Sequence, residues 1–147
     1  MLKNISPILT ADLLWVLAAM GHGDDLAIVD ANHPAEKLAR LTSSQQLIQM
    51  PGLTMAQVIE AILTVYPLDT YVKDPVRRML VIEDNASIPE VQEEVRKKIL
   101  SAGMEEKQFI GIERFEFYKQ ASQAFAIIQV GDVRPYGCFL LRKGVIT

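Results

Sequence analysis

The chain is short of cysteine, of histidine and of long apolar runs, and each shortage closes off a class of function. A single cysteine, Cys138, among 147 residues excludes an internal disulfide and leaves no zinc site built on thiolates. No apolar run approaches the roughly 20 residues needed to span a bilayer. Near the start, Lys3, Asn4, Pro7 and Asp12 interrupt any apolar core of a signal peptide, so a soluble, cytoplasmic protein with no membrane partner is expected. Charge of one sign is also scarce. Fifteen Lys and Arg face 18 Asp and Glu, and the only dense basic runs are Arg77-Arg78 and Arg96-Lys97-Lys98, which argues against a nucleic-acid partner. There is no Gly-rich phosphate loop and no Gly-x-Ser-x-Gly elbow.

Half the chain is apolar and 22% charged, which fits one globular domain over residues 1–147. Thr10 is a good N-cap for a helix to Met20, with Leu13, Leu14, Trp15, Leu17 and Met20 as its apolar face. Gly21 is expected to close it with a positive φ. Leu26 to Val29 reads as a buried strand with Asp30 just past its end. Residues 31–45 read as a loop with a helical turn at Pro34–Arg40, and Gln46–Gln49 as a brief strand. Thr54-Met-Ala-Gln57 predicts a capping box and a helix ended by Pro67. Met79–Ile82 reads as a strand. Ser87-Ile-Pro-Glu90 reads as a second capping box, opening a helix to about Ala102 with i,i+4 pairs Glu93–Lys97 and Glu94–Lys98 on a solvated surface. A strand at Gln108–Ile112, a helix at Phe115–Ala124 and strands at Phe125–Val130 and Cys138–Leu141 follow. The alternation predicts an α/β fold with a central, mostly parallel sheet flanked by helices.

The candidate site residues cluster around turns. His22 lies between Gly21 and Gly23 and is therefore exposed, either as a plain loop histidine or as a general acid or base. Asp30 sits at the C-terminal end of a strand, where open α/β sheets bind ligands, and can cap the following turn or accept hydrogen bonds from sugar hydroxyls. His33 with His22 and Asp30 matches no standard metal-ligand spacing, so no metal is expected. Arg114 and Tyr118 share a helix face, although Arg114 can equally pair with a neighbouring glutamate while Phe115 and Phe117 fill the core. Tyr136 follows a turn and can stack on a sugar or cover a sheet edge. Cys138, in an apparent strand with no local base, is a poor nucleophile.

In order and spacing these blocks resemble the fucose mutarotase and ribose pyranase family. The resemblance runs from Leu2-Lys-Asn-Ile-Ser-Pro7 through Met20-Gly-His-Gly-Asp24, Asp30-Ala-Asn-His-Pro34 and Pro67-Leu-Asp-Thr-Tyr71. It continues through Glu113-Arg-Phe-Glu-Phe-Tyr118, Ala124-Phe-Ala-Ile-Ile128, Tyr136-Gly137 and Leu141-Arg-Lys-Gly-Val145. The Arg-Phe-Glu-Phe-Tyr block is similar to the fucose branch. The resemblance implies interconversion of the anomers of L-fucose by acid–base catalysed ring opening, with no cofactor, in a ring-shaped homodecamer with sites near subunit interfaces. It implies a proton donor at His22, proton relay by Tyr118 or Tyr136, and sugar contacts at Asp30, Asp69, Met79, Arg114, Tyr118, Tyr136 and Cys138. D-ribose pyranase activity and non-catalytic sugar binding are the alternatives. Two positions depart from the family: Cys138 stands where asparagine is usual, and His33 where an apolar aromatic is.

Overall fold

The computed structural model describes all residues 1–147. Its elements run in the order α1 (Ala11–Ala19), β1 (Asp25–Val29), α2 (Ala35–Ala39), β2 (Leu47–Met50), α3 (Met55–Leu63), β3 (Val76–Met79), α4 (Glu90–Ser101), β4 (Phe109–Ile112), α5 (Arg114–Ser122), β5 (Ala126–Val130) and β6 (Cys138–Arg142). Local chemistry explains most boundaries. The Thr10 hydroxyl accepts from the Leu13 N–H at the start of α1, and Thr54 with Gln57 forms the expected capping box of α3. Gly103, at φ 99°, closes α4.

Six strands form one sheet in the order β2-β5-β1-β6-β3-β4. β1, β2 and β5 are mutually parallel, as are β3 and β4, while β6 alone runs antiparallel between β1 and β3. The sheet is thus mixed, with a parallel majority. Successive strand residues point to opposite faces, so Leu26 and Ile28 join a core with α1, α3 and α4, whereas Ala27 and Val29 join one with α2 and α5. Both faces of the sheet are covered.

Several expectations give way to tertiary context. Gly21 does not take a positive φ. α1 already ends at Ala19, the Gly21 N–H donates to the Asp24 carboxylate at 2.7 Å, and the left-handed residue is Gly23, at φ 86°. The strand expected at Met79–Ile82 lies instead at Val76–Met79, with all four residues buried. Arg77 and Arg78 are accordingly interior groups rather than a surface basic run. Ser87 does not cap α4, because Pro89 disfavours a helical residue before it and holds the start at Glu90. The expected Glu93–Lys97 and Glu94–Lys98 pairs are replaced by Glu93–Arg96, Glu94–Arg134 and Lys98–Glu60. Phe117 is core, but Phe115 is 64% exposed.

The loop between β5 and β6 is pressed against the chain at Gly131, where an added Cβ would lie 1.8 Å from the Pro51 carbonyl oxygen. Gly131→Ala is expected to lower the unfolding free energy by about 2–3 kcal/mol, and Gly52→Ala, with open space around it, by under about 0.5 kcal/mol. Urea denaturation of the two variants checks the contrast.

Candidate functional site

The C-terminal ends of β1 and β3 and the N-terminal end of β6 meet in a cleft of about 180 Å³ lined by Asp30, Asn32, His33, Met79, Ile82, Arg114, Tyr118, Pro135, Tyr136 and Cys138. Asp30 follows β1 directly and is buried. Its Oδ1 accepts from the Asn32 N–H at 2.9 Å, and its Oδ2 from the Gly137 N–H at 3.0 Å and the Cys138 thiol at 3.5 Å. Burial raises the Asp30 carboxyl above its ordinary range, and these hydrogen bonds pull partly against that rise. Arg114 and Tyr118, one turn apart on α5, both reach the cleft. Arg114 does not pair with the neighbouring Glu113, whose carboxylate caps α5 through the Phe115 and Glu116 N–H groups. The guanidinium instead stacks 4.5 Å over the Phe115 ring, and its buried Nε has no partner. Burial raises the Tyr118 phenol, which keeps it a hydrogen-bond donor.

His22 and Asp69 are elsewhere. The Gly21–Gly23 turn precedes β1, and Asp69 is tied by its N–H to the Arg142 carbonyl at the far end of β6. His22 Nε2 lies 3.0 Å from Asp69 Oδ2. The imidazole is 48% exposed while the carboxylate is buried, its Oδ1 accepting from the Tyr71 N–H at 2.9 Å. A fixed carboxylate orients the ring and leaves Nδ1 toward solvent when Nε2 carries the proton. β1 separates this dyad from Asp30: at about 3.3 Å per residue, five residues put them roughly 17 Å apart. Within one chain the structure therefore assembles Asp30, Met79, Arg114, Tyr118, Tyr136 and Cys138, and sets His22 and Asp69 at the opposite end of the central strands. The same separation prevents His22, Asp30 and His33 from sharing one ion within a chain.

Sequence reasoning missed the glutamines behind the cleft. Gln129 Nε2 lies 3.2–3.4 Å from the carbonyls of Asp30, Ala31 and His33 and fixes the loop after β1. Gln92, expected on a solvated face of α4, is wholly buried and donates to the carbonyls of Met79 and Tyr136. Its position beside the apolar Val91–Val95–Ile99 row was the available signal. Cys138 is buried, and burial pushes its thiol well above the usual range, so it serves as a weak donor and not as a nucleophile.

His33 is the unusual wall. Its ring stands edge-on to Phe117 and Tyr118, Nδ1 lies 3.7 Å from the Cys138 sulfur, and the buried Nε2 has no partner. Burial depresses its pKa from 6.5 to about 4. The unfolded chain takes up this proton near pH 6.5 and the folded one does not, so stability is full above that pH and falls as pH drops toward 4. The loss is roughly 3 kcal/mol. Asp30, shifted upward, works in the opposite direction. Urea denaturation between pH 7 and pH 4 is expected to show the loss in the wild type and a shallower slope in His33→Phe.

The chain is similar to known proteins along nearly its whole length. Residues 3–146 match the RbsD / FucU transport protein family. The chain is 37% identical over 150 residues to the fucose mutarotase of Homo sapiens, covering 99% of this chain and 95% of that protein. It superposes on the fucose mutarotase of Streptococcus pneumoniae, solved in complex with L-fucose, with a TM-score of 0.90 at 32% identity, covering 99% of this chain and 100% of that one. FucU of Bifidobacterium longum gives a TM-score of 0.91 at 34% identity with the same coverage. A match that spans nearly every residue and retains the whole sheet places the chain by descent as well as by shape: it belongs to the RbsD / FucU family.

Proposed function

We propose that the chain is an L-fucose mutarotase, interconverting the α and β anomers by opening and closing the pyranose ring. The carrying observation is the cleft itself. A buried carboxylate, a guanidinium with no acidic partner and two phenols converge beside the apolar Met79, a set suited to a neutral, many-hydroxyl molecule with one apolar edge. The naming of relatives as fucose mutarotases, over nearly the full length, supports the same reading.

The reaction is proton transfer and bond rotation. A proton arrives at the ring oxygen as another leaves the C1 hydroxyl, the C1–O5 bond breaks to give the aldehyde, C1–C2 rotates, and the reverse transfers reclose the ring. No cofactor is needed for these steps. Asp30 and Arg114 hold sugar hydroxyls, Tyr118 or Tyr136 relays the C1 proton, and His22, oriented by Asp69, gives the ring oxygen its Nδ1 proton as the imidazolium and takes it back when the ring closes. Positioned acid–base groups of this kind contribute about 10²–10⁴-fold. Cys138 offers only a thiol where asparagine is usual in the family it resembles, so one sugar contact is lost or supplied by backbone.

A single chain cannot bring His22 to its own cleft. The site is therefore shared: His22 and Asp69 of one subunit close the cleft of the next, in a ring oligomer such as the decamers of the resembling family. Exposed Trp15, Tyr71, Phe115 and Val145 support subunit contacts of this kind.

Exchange NMR on the anomeric protons of L-fucose tests the activity. The wild type is expected to accelerate exchange and His22→Ala to lose about 10²-fold of that acceleration; binding without acceleration in the wild type would mean a sugar-binding protein. Complementation tests the sharing. His22→Ala and Arg114→Ala, each inactive alone, are expected to regain about a quarter of wild-type activity when co-assembled, because that share of random interfaces pairs an intact His22 with an intact cleft. No regain would place the whole site within one chain.

A further inference from the structure

Tyr136 holds a left-handed backbone, φ 65°, a conformation that a bulky residue keeps only when its surroundings fix it. Two contacts fix it. The phenol oxygen accepts the Ile82 N–H at 3.4 Å, and the carbonyl accepts from Gln92 Nε2 at 2.8 Å. The second Gln92 N–H goes to the Met79 carbonyl at 2.7 Å, and its Oε1 accepts from Arg78 at 2.9 Å. Every polar atom of this buried side chain is thus used. The arrangement also has only one orientation. A guanidinium cannot accept, so Oε1 must face Arg78 and the amide nitrogen must face the two carbonyls.

One side chain from α4 therefore joins the last residue of β3 to the loop that enters β6, and these are two walls of the cleft. Arg78, which also donates to the Ser87 carbonyl at 3.3 Å, fixes the glutamine from behind. A second tie works in the same sense: Arg134, two residues before Tyr136, bonds both Glu94 oxygens at 2.8–2.9 Å, so α4 anchors this loop twice.

We propose that Gln92 is a positioning residue of the sugar site, holding the Tyr136 backbone against Met79 so that the phenol meets the substrate at a fixed place. The proposal rests on reading the cleft as the sugar site. Its distinctive consequence is that Gln92 acts through Tyr136. Losing it should disorder one tyrosine and cost turnover more than binding, since a small misplacement of a reacting group is felt mainly in the transition state.

Gln92→Glu keeps the volume and the partner of Arg78 but sets acceptors against both carbonyls; Gln92→Met removes all three hydrogen bonds. The pair separates positioning from mere hydrogen bonding to Arg78, and either variant suffices if the other fails to fold. Fluorotyrosine labelling, with Tyr136→Phe to assign the resonance, gives a readout independent of activity. In both variants the Tyr136 fluorine signal is expected to broaden or move toward that of free tyrosine while the Tyr66, Tyr71 and Tyr118 signals stay. kcat for L-fucose exchange is expected to fall roughly tenfold to a hundredfold with a smaller change in KM. Adding Gln92→Glu to Tyr136→Phe should cost nothing further. An unmoved Tyr136 signal, or losses that multiply in the double variant, would overturn the proposal. A wild type without exchange activity would overturn the mutarotase reading, and the fluorine signal would still decide whether Gln92 holds Tyr136.

Discussion

Everything in this structure that bears on function hangs from strand β6 lying antiparallel between β1 and β3. Asp25 holds it there. This residue opens β1, faces Arg142 across the β1–β6 ladder, and accepts from the guanidiniums of both Arg142 and Arg77, the latter reaching over from β3. Three strands are thus pinned at one end by a single carboxylate. The pin places both functional clusters. At the end of β6, the Arg142 carbonyl receives the Asp69 N–H and the Lys143 carbonyl the Gly23 N–H, which sets the His22 turn beside its carboxylate. At the start of β6, Gly137 and Cys138 close on Asp30. A slip of β6 by one residue would turn every side chain to the other face and dismantle both clusters together.

The cleft is built at a cost to stability. Asp30 is buried and raised, His33 is buried with an unpartnered nitrogen, and the Arg114 Nε has no acceptor. Each would be better satisfied in water. A site that leaves a guanidinium without a carboxylate keeps that donor for a ligand, and ligand hydroxyls can accept where the protein does not. The structural charges behave differently. Arg77 has Asp25 and Gln120, and Arg134 has Asp132 and Glu94. The Arg77 Nε also lacks a partner, but the terminal nitrogens of Arg77 and Arg134 are committed to protein groups, whereas Arg114 in the cleft pairs with no carboxylate.

Much of the frame is legible in the sequence because it is local. Thr10 and Thr54 cap helices through neighbours three residues away, and the Leu26–Val29 run is too apolar to lie anywhere but inside. The misreadings share one cause, partners distant in sequence. Val76-Arg-Arg-Met79 carries the charge of a surface segment, and Asp25, Gln120 and Gln92, all distant in sequence, are what let its arginines lie inside. Gln92 itself is polar on a helix whose other polar residues face solvent. The residues that meet in the cleft are legible by type and by resemblance, but the division of the candidate residues between two ends of the sheet is not. A linear order gives no sign that His22 and Asp30, eight residues apart, stand at opposite ends of a strand.

That division follows from the chemistry required. Ring opening of a reducing sugar already proceeds in water, so the protein need not generate a strong nucleophile; it has only to hold an acid, a base and the sugar in fixed relation. Such a task is met by rigid walls. Gln129 braces the loop after β1, Gln92 joins Met79 to Tyr136, and Arg134 ties the same loop to α4. Under the shared-site proposal, the His22 imidazole of a neighbouring subunit, seated on Asp69, would supply the acid without a mobile lid. Assembly would then complete the site in the same step that covers exposed Trp15, Tyr71 and Phe115, and on that proposal catalysis would depend on subunit contacts as much as on the fold of each chain.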